Sequence, residues 1–163
     1  MERRLSAFGY DCRQMSTPSP SAKPSSRGLM HTLEVKTTRR TELVDVTAEV
    51  ARLVTAAGVD HGVCHLSVPH TTAGLTINEN DDPNVARDLE AAFDRLAPRD
   101  ASYRHTEGNA DSHVKSTLAG VSQTVFIEDG RLGLGRWQGI FFCEFDGPRR
   151  RQLRVKIVPD RSE

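Results

Sequence analysis

The chain has 163 residues, with 22 basic and 22 acidic side chains, so its formal net charge is zero. That balance excludes a global field drawing it to nucleic acid or to a membrane surface. No apolar run approaches the roughly 20 residues that span a bilayer, and the first residues lack the apolar centre of a signal peptide.

Residues 1–29 stand apart. Ser16-Thr17-Pro18-Ser19-Pro20-Ser21-Ala22-Lys23-Pro24-Ser25-Ser26 has no hydrophobic period and cannot bury a core, so 1–29 are expected to be a disordered extension. Met30 offers an alternative start, and a single domain is expected over 30–160.

Leu33-Glu34-Val35-Lys36-Thr37 alternates and predicts a strand. Val46, Val50, Leu53, Val54 and Ala57 recur at helical spacing, with Gly58 placed as a C-cap. Strands are expected over Gly62 to Val68 and Ala73 to Ile77. Val85, Leu89, Phe93 and Leu96 mark a second amphipathic helix, entered through Asp82 as N-cap and Pro83 at its first position and closed by Pro98. A polar loop from Arg99 to about Asn109 leads to a short helix, Ala110 to Ala119, ending at Gly120.

Strand runs then follow at Gln123 to Glu128, Arg131 to Leu134, Trp137 to Asp146 and Gln152 to Val158, with a hairpin turn at Glu128-Asp129-Gly130. Leu153, Val155 and Ile157 alternate with Arg154 and Lys156, as in a half-buried strand. The run at 137–146 is apolar on both faces, which predicts a central strand or one covered by another subunit. Recurring hairpins with helices clustered in the middle predict an α+β fold, with largely antiparallel sheets and two or three helices. Three cysteines without CxxC spacing argue against a disulfide framework and fit reduced thiols in a cytoplasmic protein. Cys64 and Cys143 lie in strand-like apolar runs and are expected to be buried.

Three clusters carry more polar chemistry than folding needs. In the first, His70 follows a strand and is trailed by Thr71, Glu79, Asp81 and Asp82. Alternation places His70 on the face of Cys64, Leu66 and Val68, where a hydrogen-bonded core histidine is the plainer alternative. The second cluster holds His105, Asn109, His113 and Lys115. On one continuous helix the two histidines would lie about 12 Å apart along the axis, too far for one metal. A turn at Gly108-Asn109 removes that obstacle and makes a His70, His105 and His113 metal site feasible. Three histidines leave a fourth position open, as in catalytic rather than structural zinc sites. Glu79, Asp81 or Glu144 would then orient a ligand or a bound water.

The third cluster runs from Gly130 through Trp137 and Gln138 to Glu144, Arg149 and Arg151. Its glycines read either as a phosphate cradle or as a punctuated hairpin. Arginines grip phosphate oxygens in bidentate fashion. Arg151 is in phase with the inward row of Leu153 and is the better pocket candidate than Arg150.

Together, these motifs resemble the YjbQ-like family, also called the secondary thiamine-phosphate synthase family. The matching segments are Pro69-His70-Thr71-Thr72-Ala73, Asn78-Glu79-Asn80-Asp81-Asp82-Pro83, His105 with Asn109 and His113, and Leu132-Gly133-Leu134-Gly135-Arg136-Trp137-Gln138 running on to Glu144-Phe145-Asp146-Gly147-Pro148-Arg149. Asp111, where a small residue is more usual, and Arg136, where Thr is common, depart from the pattern. The resemblance implies a sandwich-like fold, a homotrimer with sites near subunit interfaces, and a divalent metal, zinc, held by His70, His105 and His113. It also implies a small phosphorylated substrate and a weak thiamine phosphate synthase activity. Catalytic roles are then expected of Glu79, Asp81 and Glu144. Substrate contacts are expected of Thr71, Asn109, Lys115, Trp137, Gln138, Arg149 and Arg151. The competing expectation is a non-enzymatic trimeric zinc- or ligand-binding protein. Neither reading involves nucleic acid or a membrane.

Overall fold

A computed structural model describes residues 28–161. Almost all of the expected extension, 1–27, and Cys12 with it, therefore lies outside the described residues. The elements run β1 (Leu29–Lys36), β2 (Glu42–Asp45), α1 (Thr47–Ala57), β3 (Gly62–Ser67), β4 (Ala73–Glu79), α2 (Pro83–Leu96), α3 (Ala110–Ala119), β5 (Ser122–Glu128), β6 (Arg131–Leu132), β7 (Gln138–Glu144) and β8 (Arg150–Pro159). Among the described residues, no helix is long and apolar enough to cross a membrane.

All strand pairs are antiparallel and form two sheets, β1-β8-β3-β5-β6 and β2-β7-β4. The alternating strands bury the row their pattern marks. Leu153, Val155 and Ile157 of β8 are fully buried, beside Cys64 and Leu66 of β3 and Val125 and Ile127 of β5. These meet Leu75, Ile140 and Phe142 of the smaller sheet and Val50 and Val54 of α1 in one core. At about 25 cal/mol per Å² of apolar surface, this shared core is the main cohesion between the sheets. Gly58 caps α1 in the left-handed conformation, as its position predicts. Asp129 and Gly130 both take positive φ and close the β5–β6 hairpin.

The doubly apolar strand is resolved within one chain. β7 is the central strand of the smaller sheet, with Ile140 and Phe142 turned to the main core. Phe141, Cys143 and Phe145 form a second core under Ala86, Leu89 and Phe93 of α2. The Phe93 and Phe145 rings meet edge to face, 5.0 Å apart. A second subunit is not needed to cover this strand. Cys64 and Cys143 are free and buried as expected, and burial pushes their thiols up to about 11 and about 12.

β2 has no counterpart among the expected strands. It is four residues long, begins with Glu42 and ends with Asp45, and only Leu43 is buried, so its hydrophobic pattern is too short to register. It matters because the Thr37–Thr41 turn before it carries Arg39 and Arg40. α3 lies close on the start of β4: a Cβ on Gly74 would sit 2.8 Å from both the Ala119 Cβ and the Gly120 oxygen. That close approach seats the last turn of α3 on β4, while Ser112 in its first turn reaches the Phe145 carbonyl just past β7.

Candidate functional site

Three segments converge at the C-terminal end of β7: the 69–72 loop, the first turn of α3 and the β7–β8 turn. Ser116 Oγ donates to the Ala73 carbonyl at 2.7 Å, Ser112 Oγ to the Phe145 carbonyl at 2.6 Å, and the Phe145 N–H to the Thr72 carbonyl at 3.2 Å. Most of the polar residues singled out in the sequence lie on or beside this junction.

Glu144 and Arg151 form its sealed centre. The Glu144 side chain is 0% exposed and that of Arg151 7%. Arg151 Nε donates to Glu144 Oε2 at 2.7 Å and Nη2 to Oε1 at 2.6 Å, the bidentate pairing that suits a buried carboxylate. Thr37 Oγ1 donates to Oε2, and the Phe145 and Asp146 N–H groups donate to Oε1. Arg151 Nη2 also donates to Thr72 Oγ1 at 2.9 Å. With both oxygens of Glu144 occupied by several donors, the pair fixes the junction and leaves little for a ligand.

His70 sits at the edge of this pair, half-buried. Its Nε2 accepts the backbone N–H of Gln152 at 2.9 Å. Accepting requires a lone pair, so the neutral ring carries its proton on Nδ1. Burial, with the charge of Arg151 next, holds its pKa below the ordinary histidine value.

His105 and His113 meet edge to face with ring centroids 5.2 Å apart. They border a cavity of about 270 Å³ with Tyr103, Arg104, Ala110 and Val114, and Glu107 Oε2 lies 3.6 Å from His105 Nε2. The turn at Gly108, with φ of +74°, is what returns His105 onto α3. His70 does not join them within the chain: among the described residues, no group of three or more His, Cys, Asp or Glu side chains is placed to hold a metal ion.

A chain of charges leads from the β7–β8 turn to α2. Arg149 Nη2 pairs with Asp146 Oδ2 at 2.7 Å, and Asn109 Nδ2 donates to the same oxygen at 3.1 Å. Arg40 bridges Asp146 and Asp111. Asp111 Oδ2 and Asp94 Oδ1 then hold the buried Lys115 ammonium at 3.0 and 2.6 Å. Burial alone would raise the Asp111 carboxyl, but Lys115 and Arg40 hold it below the usual carboxylate range.

The other expected site residues lie apart from the histidines. Glu79 is half-buried at the end of β4, beside Asp82 in a cavity of about 250 Å³ lined also by Leu43 and Phe141. Asp81 and Thr71 are exposed, and Asp82 caps α2 by accepting the Asn84 N–H. Trp137 is half-exposed under the Arg136 guanidinium, 4.7 Å from the ring centre, and Gln138 Oε1 accepts the Gly135 N–H. The glycine-rich run thus begins in the β5–β6 hairpin turn and then crosses from β6 to β7 in the other sheet, where Gln138 closes the connection. Sequence reasoning missed Arg40, Asp94 and the roles of Asp111 and Asp146. Asp111 and Lys115 stand four apart, the spacing of a helical ion pair, and that signal was readable.

A model of the family described as UPF0047 protein YjbQ-like matches residues 31–160. The chain is 50% identical over 128 residues to UPF0047 protein MJ1081 of Methanocaldococcus jannaschii, covering 78% of this chain and 93% of that one. It is 48% identical over 131 residues to UPF0047 protein YugU of Bacillus subtilis, covering 80% and 99%. Among solved structures, an uncharacterized YjbQ/UPF0047 protein of Clostridium acetobutylicum superposes with a TM-score of 0.77 at 46% identity, covering 78% and 99% of the two chains. A YbjQ-like protein of unknown function from Sulfolobus solfataricus gives 0.79 at 31% identity, covering 82% and 99%.

Proposed function

The chain belongs to the UPF0047 YjbQ-like family, and on that premise we propose that it is a metal-dependent enzyme acting on a small phosphorylated substrate, with thiamine phosphate formation as the activity to test first. The observation that carries this reading is the His105–His113 pair. Two imidazoles bound to one tetrahedral zinc at about 2.0–2.1 Å hold their ring centres about 5 Å apart, the separation found here. The fit is partial, since two rings do not complete a site. In the homotrimer that the resemblance implies, the remaining protein ligand comes from a neighbouring copy. Glu107 beside His105 Nε2 is placed to orient that ring.

When bound, the metal would supply Lewis acidity toward phosphate oxygens. The chain's own residues divide the rest. His70, held neutral with Nε2 accepting from Gln152, presents Nδ1–H as a donor to an anionic oxygen rather than a lone pair to a metal. Arg149 is half-exposed and aimed by Asp146, so one face of its guanidinium remains for a phosphate. In a reaction that joins a pyrimidine pyrophosphate to a thiazole phosphate, such cations would offset negative charge on phosphate oxygens. Glu144 is spent on Arg151 and acts as a support.

The test is elemental analysis of the purified protein beside His105→Ala and His113→Ala, with each preparation assayed for thiamine phosphate. Metal and activity in the wild type, and loss of both in each variant, support the reading. Metal content unchanged in both variants overturns the assigned ligands, and activity that survives both overturns the enzyme site. A wild type that holds metal and forms no product favours the non-enzymatic metal-binding alternative.

A further inference from the structure

The cavity between the Arg39–Arg40 turn, α2 and α3 holds about 480 Å³, within the range of small-molecule sites. Four cations border it: Arg39, Arg40, Arg99 and Lys115. Three carboxylates face them, and they are held very differently. Glu90 accepts two bonds from the Arg39 guanidinium and a third from the Leu43 N–H. Asp111 is buried between Arg40 and Lys115. Asp94 is 58% exposed and, among the described residues, bonds only to Lys115.

We propose that this cavity binds a pyrophosphate-type anion, and that Asp94 is a displaceable stand-in for it. With all seven side chains in place, the lining carries a net single positive charge. If Asp94 turns into solvent, the charge rises to two, and Lys115 keeps Asp111 as its buried partner. The ammonium has three donors and no acceptor, so one released position is taken directly by an anion oxygen. Arg99, which has no ion-pair partner among the described residues, supplies the planar donors that match phosphate oxygens, while the Arg39 fork stays on Glu90. Low-dielectric walls around Lys115 strengthen that attraction relative to an exposed lysine.

The inference deepens the proposed reading by locating the phosphorylated end of the substrate, while standing on residues separate from the histidines. It is tested by calorimetric titration of inorganic pyrophosphate into metal-stripped protein. The samples are wild type, Asp94→Asn, Arg99→Gln and the double variant His105→Ala/His113→Ala, each checked for an unchanged circular dichroism spectrum. Asp94 and Arg99 are exposed, so both single variants keep the fold. The expected result is binding in the wild type, at least five-fold tighter in Asp94→Asn and at least five-fold weaker in Arg99→Gln, with the histidine variant unchanged. Absence of binding to wild type and Asp94→Asn overturns the proposal, as does equal affinity in wild type, Asp94→Asn and Arg99→Gln. Binding lost only in the histidine variant places the anion elsewhere and also overturns it. Failure of the metal reading leaves this result intact, because no metal is present in the titration.

Discussion

Two buried cations, Arg151 and Lys115, lie in the same small domain and are answered by carboxylates in opposite ways. Arg151 meets Glu144 in a bidentate pair from which water is excluded on both sides, with Thr37 and Thr72 taking up the remaining valences. Lys115 meets one carboxylate as buried as itself and a second that is mostly in solvent at a cavity mouth. The first arrangement has no partner to exchange. The second has one, because Asp94 can regain water at little cost while Asp111 keeps the lysine from being left alone. A buried ion pair therefore reads as architecture or as a site according to whether one of its members is exposed.

The sharpest way to break the comparison is at the sealed pair. Glu144→Gln or Arg151→Met is expected to cost about 3–5 kcal/mol, because each leaves an uncompensated charge or its donors without water. Denaturant midpoints at constant slope would check this, and a loss below about 1 kcal/mol would contradict an architectural role. Lys115→Met is expected to cost less, about 2–3 kcal/mol, since Arg40 still faces Asp111. Adding Asp111→Asn should recover part of that loss. Thr72→Val removes one hydrogen bond from Arg151, an effect of about 1 kcal/mol by the same measurement.

A pH series tests the rim of the sealed pair. Folded His70 binds its proton less readily than an unfolded histidine, whose pKa is near 6.5. Between that value and the depressed folded one, the unfolded chain holds more protons, so His70's contribution to stability is present above pH 6.5 and lost as pH falls through that window. The melting temperature should fall less steeply from pH 7 to pH 5 in His70→Gln than in wild type. The smallest stability effect is expected of Asp94→Asn, below about 1 kcal/mol, as befits a half-solvated pair. A large stability loss there would make the open pair architectural too.

Much of this was legible in the chain. The inward rows of β3 and β8, the span of α2, the αL cap of α1 and the Asp129-Gly130 turn follow from spacing and turn chemistry within a few residues. The return of His105 onto His113 was legible from Gly108. The meeting of His70 with these two was not realised in the chain, because its loop is tied to β8 through Gln152. The pairing of Glu144 with Arg151 is not legible in the sequence for a related reason: alternation places Arg151 on the inward face but does not show that Glu144 fills that position.

By itself, then, the sequence determined the α+β class, nearly all of the elements and the family. Those depend on side-chain period and local backbone preference, which act over a few residues. Only the tertiary structure decided which charges are sealed and which remain exchangeable. Thr37 reaches Glu144 across 107 positions and Arg40 reaches Asp111 across 71. Lys115 is buried because α2, α3 and the Arg39–Arg40 turn close around it, and burial of that kind is a property of the packed chain as a whole.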